Sequence, residues 1–225
     1  MADIGYGCHG CLRQDISPNA GGMTMVEWRA GGSTWDAAVL AQIAEINEQL
    51  LEGLRSMAWQ DESGAKPLPR LVQLTQEQWR RLEPQALRLL SASPFLLLDA
   101  GFAHVAHWQN PCTGAVMDQP GQDAYFRGTP GVALLRPTLV LAWHVARSNR
   151  LMANVVLGMT PAVADCLAGK RLKELEALAE RPPPWIMPRW ERQPIVWRQM
   201  LDAARIGQSS ALRAVHVRGL QLLAR

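Results

Sequence analysis

The sequence predicts an all-α fold, made of an N-terminal helical domain and a C-terminal helical module that contains a helix-turn-helix-like hairpin. Apolar residues recur at steps of three and four over long stretches, which is the period of an amphipathic helix. Capping residues, proline and glycine stand at the ends of these stretches, where helices begin and end. The 225-residue chain is 48% hydrophobic and 19% charged, a composition that excludes wholesale disorder and low-complexity structure.

The clearest single element is an N-terminal helix over residues 34–58. A cap at Ser33 and Thr34 precedes it, and Asp36 lies in its first turn. Apolar residues then recur at steps of three or four, with the acidic residues mostly off the stripe. We expect this stripe to be a partner or oligomer interface, packing either on the helices at 75–92 or across a homodimer. The stripe consists of Val39, Ile43, Ile46, Leu50, Leu54 and Met57.

A second helical stretch begins at Thr75, where the spacing to Gln78 matches a capping box. Pro84 divides this stretch, because proline fits the first turn of a helix but not its interior. The sequence therefore predicts one helix over residues 75–83 and the next over residues 84–92. The apolar run Phe95–Leu98 is predicted to be buried, and its length does not distinguish a strand from a helix.

Composition divides the chain into four parts. We expect the Gly-rich residues 1–32 to form a disordered tail, because they carry no periodic apolar pattern. Residues 33–109 are predicted to form an acidic helical domain. Closely spaced Gly and Pro predict a loop or linker over residues 110–135, and residues 136–225 are predicted to form a basic helical module.

The net charge of +3 conceals an asymmetry between two parts of the chain. Residues 1–135 carry nine Lys or Arg against fourteen Asp or Glu, whereas residues 136–225 carry fourteen against six, a net +8. An Arg-rich segment suits phosphate or carboxylate partners, because the planar guanidinium binds two oxygens at once. Three interpretations stay open: a solvated helix surface, a nucleic-acid interface, or a surface for an acidic protein.

The C-terminal part carries the most distinct helix signals. A long helix is predicted to begin at Pro137 and to end before Gly158. Thr160 and Pro161 then provide a cap and a first-turn proline, which together are a strong signal for the start of another helix. A further helix is predicted over residues 194–206, and a basic helix closes the chain.

Residues 161–168 and 171–181 are predicted to form two short helices joined at Gly169. This is the outline of a helix-turn-helix motif and equally of an ordinary helical hairpin. Beyond it, Trp185 and Trp190 are interleaved with arginines, so they either stack on bases or anchor an extended segment. The candidate nucleic-acid-binding residues are Lys170, Arg171, Lys173, Arg189 and Arg192.

Motifs for catalysis or metal binding are missing from the sequence. Cys8 and Cys11 have the CxxC spacing of a zinc knuckle, but a closed zinc site needs four ligands and a second pair is lacking. His104, His107 and Cys112 also lack a fourth ligand. No nucleophile elbow, HExxH, phosphate-binding loop or dinucleotide fingerprint occurs. We therefore expect a protein that is not an enzyme and that has no cofactor and no metal.

The segment Leu139–Ala179 resembles the FlhD subunit of the flagellar master transcriptional regulator, and its relatives that activate transfer of conjugative elements. In that family a long helix leads through a Leu-Gly-Ile-like turn into a short Ala-rich helix and then a Leu-rich helix. The resemblance implies an all-α regulator that dimerises and acts with an FlhC-type subunit on promoter DNA. The matching positions are Leu157, Gly158, Met159, Ala162, Ala164, Leu167, Leu172, Leu175, Leu178 and Ala179.

We therefore expect a non-catalytic, transcription-regulating subunit that acts in a hetero-oligomer on promoter DNA and forms a homodimer within the larger complex. The alternative is a helical interaction or assembly protein of a bacterial secretion or flagellar system. No apolar run approaches the roughly 18 residues of a membrane span, and no basic-then-apolar N-terminal stretch resembles a secretory signal. The expected location is the cytoplasm, away from any membrane.

Overall fold

A computed structural model gives the fold and describes residues 37–60, 68–109, 125–126, 128–180 and 186–223. Of these residues, 73% are helical and 3% are in strands, which confirms the predicted all-α class. The predicted tail with Cys8 and Cys11, the cap at residues 33–34, Cys112 and Trp185 all lie outside the described residues, as does most of the predicted linker.

Eleven helices and two very short strands occur in the described residues. Strand β1 (Leu98–Asp99) pairs antiparallel with β2 (Met187–Pro188). No single described helix is long and apolar enough to span a membrane. One consecutive pair, Arg150–Leu157 with Pro161–Ala168, has the length and composition only when taken together, and it bends by 116° between the two helices. The helices are α1 (Ala37–Ala58), α2 (Arg70–Leu74), α3 (Gln76–Arg80), α4 (Pro84–Ser91), α5 (Ala106–Gln109), α6 (Thr129–Ser148), α7 (Arg150–Leu157), α8 (Pro161–Ala168), α9 (Leu172–Ala179), α10 (Pro194–Ile206) and α11 (Ser209–Leu223).

Helix α1 matches the predicted N-terminal helix over its described part, but its apolar stripe has a different role from the expected one. Five of the six stripe residues are at most 3% exposed, and Met57 is partly buried. The stripe packs inside the chain against α4 and α6. Packing on the 75–92 region is therefore confirmed. The prediction that these residues form an intermolecular interface is corrected, because the stripe is used in the core of the chain itself and has little surface left for a second molecule: Val39, Ile43, Ile46, Leu50, Leu54 and Met57.

Helix α3 begins directly after Thr75, as predicted, but the threonine side chain does not cap it, and a separate short helix, α2, precedes it. Its hydroxyl is buried, donates to the Leu71 carbonyl at 2.6 Å and accepts from Trp79 Nε1 at 2.9 Å. The threonine therefore stands at the start of α3 and also links α2 to α3 through its hydroxyl. Helix α4 does begin at Pro84, as predicted.

Helix α6 begins earlier than the sequence predicts. It starts at Thr129, inside the predicted linker, and it contains Pro137 in its interior. Proline cannot donate to the carbonyl four residues earlier, and that residue, Ala133, is exposed to solvent. The helix ends at Ser148, and Asn149 caps α7 by accepting from the Met152 amide at 2.9 Å. The predicted single helix is therefore two helices.

The described residues of the predicted acidic domain and of the basic module share one core. Residues Trp35–Arg225 form a single compact unit, in which α1 packs on α6 and α10 packs on α3 and α4. The rings of Trp79 on α3 and Trp197 on α10 are 5.8 Å apart between centroids, and both are fully buried. The predicted division at residues 110–135 therefore describes a change in charge and not a boundary between two cores.

An irregular buried segment, residues 93–102, runs between the helices. Asn47 on α1 holds its first part: the side-chain amide donates to the Phe95 carbonyl at 3.0 Å and to the Ser91 carbonyl at 3.2 Å, and accepts from the Leu97 amide at 2.7 Å. Residues 95–98 are buried, as predicted, and the strand alternative holds only for Leu98. Buried backbone without helical partners needs such outside donors and acceptors.

We predict that Asn47→Leu lowers the free energy of unfolding by about 3 kcal/mol, since it leaves three buried backbone groups without a partner. Urea denaturation measures the loss. Gln49→Leu, at an exposed position on the same helix, is the control and is expected to change stability by less than about 0.5 kcal/mol. Equal effects of the two substitutions would contradict the role given to Asn47.

His216 on α11 is buried against the same segment. Its Nε2 lies 3.0 Å from the Ser93 hydroxyl, which itself donates to the Leu90 carbonyl at 2.5 Å. Because the hydroxyl proton goes to Leu90, the serine oxygen accepts a hydrogen bond from the N–H at Nε2 of the neutral imidazole. A histidine base that activates a serine nucleophile accepts the serine proton, so the hydrogen bond here runs in the opposite direction. Burial lowers the pKa of His216 from 6.5 to about 4, because the imidazolium would be desolvated.

The lowered pKa of His216 predicts that the fold loses stability at acidic pH. In the unfolded chain the group protonates near pH 6.5, whereas in the folded chain it stays neutral to about pH 4, so stability falls as the pH drops below 6.5. Between pH 7 and pH 5 this contributes a loss of about 2 kcal/mol. The variant His216→Gln can still donate to Ser93. Over the same pH interval it should lose about 2 kcal/mol less of its free energy of unfolding than the wild type, as measured by urea denaturation. An identical pH dependence in both proteins would show that His216 is accessible to protons in the folded state.

Candidate functional site

Helices α8 and α9 lie close to the bounds predicted for the two hairpin helices, but each packs on α6 more than on the other. Thr160 caps α8 by accepting from the Val163 amide at 3.4 Å, and the turn between the helices covers residues 169–171. Val163 and Leu167 of α8 and Leu175 of α9 are at most 1% exposed, and both helices pack on α6. Both helices are thus held on α6, and the turn that joins them lies at the surface.

The turn is fixed by a tryptophan from α6. Trp143 Nε1 donates to the Lys170 carbonyl at 2.9 Å, and the guanidinium carbon of Arg147 lies 4.7 Å from the centre of the indole ring. Arg147 is exposed and stands beside the turn, although it is distant in sequence. Sequence reasoning missed it, but the spacing of Trp143 and Arg147, one helical turn apart, is a signal that could have found it.

Three cations at this turn stand outside the ion pairs of the described residues, although the charge of Lys170 helps to lower the pKa of Glu174. Arg147, Lys170 and Lys173 form no ion pair with any residue that the structure describes. In contrast, Arg150 pairs with Asp165 at 2.6 Å. We call Trp143, Arg147, Lys170 and Lys173 the turn cluster.

Arg171, which the sequence placed among the binding residues, is occupied by Glu174. Its backbone amide donates to Glu174 Oε2 at 2.7 Å, and its Nε lies 3.3 Å from the same oxygen. Both hydrogen bonds lower the pKa of Glu174, and the one from the backbone amide has the larger effect. Both side chains are largely exposed, so a phosphate group can still compete for the guanidinium.

The outer face of α9 is acidic. Glu174, Glu176 and Glu180 are exposed there, against the single cation Lys173. A helix that lies in the major groove brings its outer face between two phosphate backbones, and carboxylates on that face are repelled. The capacity to contact DNA is therefore concentrated at the turn and at the end of α6, and not along α9.

Arg189 is not at the surface, which corrects its prediction as a phosphate contact. The residue is 4% exposed and its Nη2 donates to the Leu157 carbonyl at the end of α7. Burial lowers the pKa of its guanidinium to about 10, an effect that the nearby Asp99 opposes. Its backbone amide donates to the Leu97 carbonyl at 2.7 Å, and its carbonyl accepts from Trp197 Nε1 at 2.6 Å. Arg189 therefore joins three parts of the core.

Arg192 is exposed but lies away from the turn cluster. It lines a cavity of about 300 Å³ together with Asp99, His104 and His107. Neighbouring Arg189 contacts the residues just before α8, whereas the turn lies at the other end of that helix, about 12 Å further along its axis. Of the five predicted residues, the structure brings together Lys170, Arg171 and Lys173 only.

The cavity beside Arg192 does not have the geometry of a metal site. The rings of His104 and His107 are 5.2 Å apart, and burial, followed by the charge of His104, lowers the pKa of His107. No group of three or more His, Cys, Asp or Glu in the described residues is arranged to hold a metal ion. The cavity therefore offers polar walls without a recognisable reaction centre.

Trp190, at the edge of this cavity, serves as an anchor. Its ring packs edge-on against Phe95, 5.5 Å between centroids, and it faces Gly219 so closely that a Cβ there would lie 2.9 Å from the indole. The residue also has a φ of 56°, which is uncommon for a residue other than glycine. Of the two sequence interpretations of Trp190, the contacts favour an anchor of the extended segment over a stacking surface for bases.

No protein-family model, curated protein or solved structure matches the chain. The candidate functional surface is therefore chosen by geometry, and the turn cluster is that surface. It combines a fixed backbone turn, a half-buried indole and three cations that form no ion pair, all within the described residues.

We predict that Gly158→Ala destabilises the fold more than Gly207→Ala. Both glycines have a φ near +70°, so each substitution carries the same backbone cost of about 1–2 kcal/mol. At Gly158 the new Cβ would also lie 3.1 Å from Arg189 Nη2, whereas nothing lies within 4 Å at Gly207. We expect an extra loss of about 1 kcal/mol at Gly158 in urea denaturation. Equal losses would show that Arg189 is loosely held.

Proposed function

We propose that the chain is a non-catalytic subunit of a transcription-regulating complex, and that it contacts promoter DNA as part of a hetero-oligomer. The observation that carries this proposal is the turn cluster between α8 and α9. Arg147, Lys170 and Lys173 come from α6, the turn and α9, and form no ion pair with a described carboxylate, although the charge of Lys170 acts on Glu174. A phosphate backbone is a partner that suits such a set.

The fixed geometry of the turn favours this contact. The hydrogen bond from Trp143 to the Lys170 carbonyl holds the turn against α6, and the indole face orients the Arg147 guanidinium. A preorganised cation loses less conformational entropy on binding than a freely rotating one. The turn cluster is therefore suited to position the subunit on a duplex through phosphate contacts.

The acidic outer face of α9 limits what this subunit does on its own. Because Glu174, Glu176 and Glu180 face solvent, α9 is poorly suited to read base edges. Sequence readout is then the task of a second protein in the complex, in keeping with the FlhC-type subunit that the resemblance implies. Phosphate contacts fix register and orientation, and base contacts supply specificity.

The alternative of an assembly protein was based on the apolar stripe of the N-terminal helix. Because α1 buries that stripe against α4 and α6, it does not offer the predicted docking surface. An assembly role would therefore need a different surface, and the DNA-contacting role is the better supported proposal.

We predict that replacing Arg147, Lys170 and Lys173 together with Gln weakens binding to duplex DNA. Each lost phosphate contact flattens the slope of log affinity against log salt by about 0.9, so the triple variant should lose a slope of about two to three. Fluorescence anisotropy with a labelled promoter duplex, from about 0.05 to 0.3 M salt, measures both affinity and slope. The test uses the full chain, alone and with any subunit that co-purifies from the native host.

The matched control replaces three cations on other surfaces, Arg88, Arg192 and Arg205, with Gln. It makes the same change in net charge and should leave the slope nearly as in the wild type. Equal loss in both triple variants would mean that binding follows total charge and not the turn cluster. The proposal fails if neither the chain nor its complex binds any duplex more tightly than about 10 µM near 0.1 M salt, since non-specific binding alone reaches about 10⁻⁴–10⁻⁶ M.

A further inference from the structure

A second surface, independent of the turn cluster, lies between α1 and α6. It is a groove of about 360 Å³ whose floor is formed by Ile46 and Leu141. Val140 projects beside the floor and is 41% exposed, the one large apolar side chain so exposed on α6. We call this surface the α1–α6 groove.

The two rims of the α1–α6 groove carry opposite charges that do not meet. Glu45 lies on the α1 rim and Arg136 on the α6 rim, and both side chains are exposed. Neither forms an ion pair with any described residue. Charges of opposite sign on either side of an apolar floor define the surface that complements them: an apolar ridge with a cation on one flank and an anion on the other.

A helix fits this pattern because its side chains form ridges that pack into the grooves of a facing surface. A second copy of this chain lacks such a ridge in its described residues, since no two exposed large apolar side chains lie three or four residues apart on any helix. The described surface of a second copy is therefore a poor match for the groove, and a helix of a different protein suits it better.

We propose that the α1–α6 groove binds an amphipathic helix of a partner protein, with its apolar ridge on Val140, a basic flank facing Glu45 and an acidic flank facing Arg136. Val140 and Arg147 lie on the same face of α6, seven residues or about 10 Å apart along the axis. A partner seated in the groove would therefore stand next to the turn cluster. The binding itself does not depend on DNA.

Three designed helical peptides test the proposal on the full-length chain without DNA. All carry the same stripe of leucines at steps of three and four; one has a Lys flank and a Glu flank, one has Lys on both flanks and one has Glu on both. The wild type should bind the mixed peptide about fivefold more tightly than the others in fluorescence anisotropy, because one direction of that peptide satisfies both rims.

Rim substitutions should change this preference in a defined way. Arg136→Glu makes both rims acidic and should shift the preference to the Lys-flanked peptide, whereas Glu45→Lys should shift it to the Glu-flanked peptide. Val140→Asp should reduce binding of all three at least tenfold, and Leu151→Asp, at a 74% exposed site on α7, is the matched control that should not. Val140→Gln replaces Val140→Asp if circular dichroism shows that the latter is unfolded.

Two results would overturn the proposal. The first is equal affinity of the wild type for all three peptides together with no effect of the Val140 variant. The second is a dimer in sedimentation that the Val140 variant dissociates, since this would assign the groove to a second copy of the chain. Failure of DNA binding leaves the groove proposal standing, because the peptide measurements contain no DNA.

Discussion

The structure depends on how a stretch of buried, non-helical backbone is satisfied in the middle of a helical protein. Residues 93–102 cannot supply their own hydrogen bonds, so other elements must do so. Asn47 bonds the beginning of the stretch to α1, the Val156 carbonyl accepts from Leu96, and the Phe102 carbonyl accepts from Thr160 at the start of α8. One segment thereby sets the positions of α1, α7 and α8 relative to each other.

This constraint reaches the candidate site through α8. The amide of Thr160 is tied to the end of the buried segment, and its side chain caps α8. From that fixed start, eight residues of helix place the turn beside Trp143 and Arg147. Arg189 reinforces the arrangement, because it bonds to the last turn of α7 while its own backbone bonds to Leu97. An arginine that the sequence suggests for binding is thus needed for the packing that positions the binding surface.

Elements with strong local signals could be predicted from the sequence. The cap at Thr160 and the prolines at 161 and 194 mark helix starts that the structure reproduces, and the stripe of α1 is buried as its period requires. The start of α6 could not be predicted, because tertiary packing overrides the local preference of Pro137. Nor could the burial of Arg189, since its partners lie on segments about 30 and 90 residues away in sequence. The net charge of the C-terminal part therefore exceeds the number of cations that are available to a partner: Arg189 is in the core, and Arg150 and Arg171 have carboxylate partners.

The contact between Gly219 and Trp190 has a consequence for how this sequence can vary. A glycine within a helix costs about 1 kcal/mol relative to alanine, yet here even a methyl group would lie 2.9 Å from the indole. The backbone of helix α11 therefore packs directly on Trp190, so the sizes of the side chains at positions 190 and 219 constrain each other. Related chains that carry a larger residue at 219 should carry a smaller one at 190, so the two positions should covary although they lie 29 residues apart in the chain.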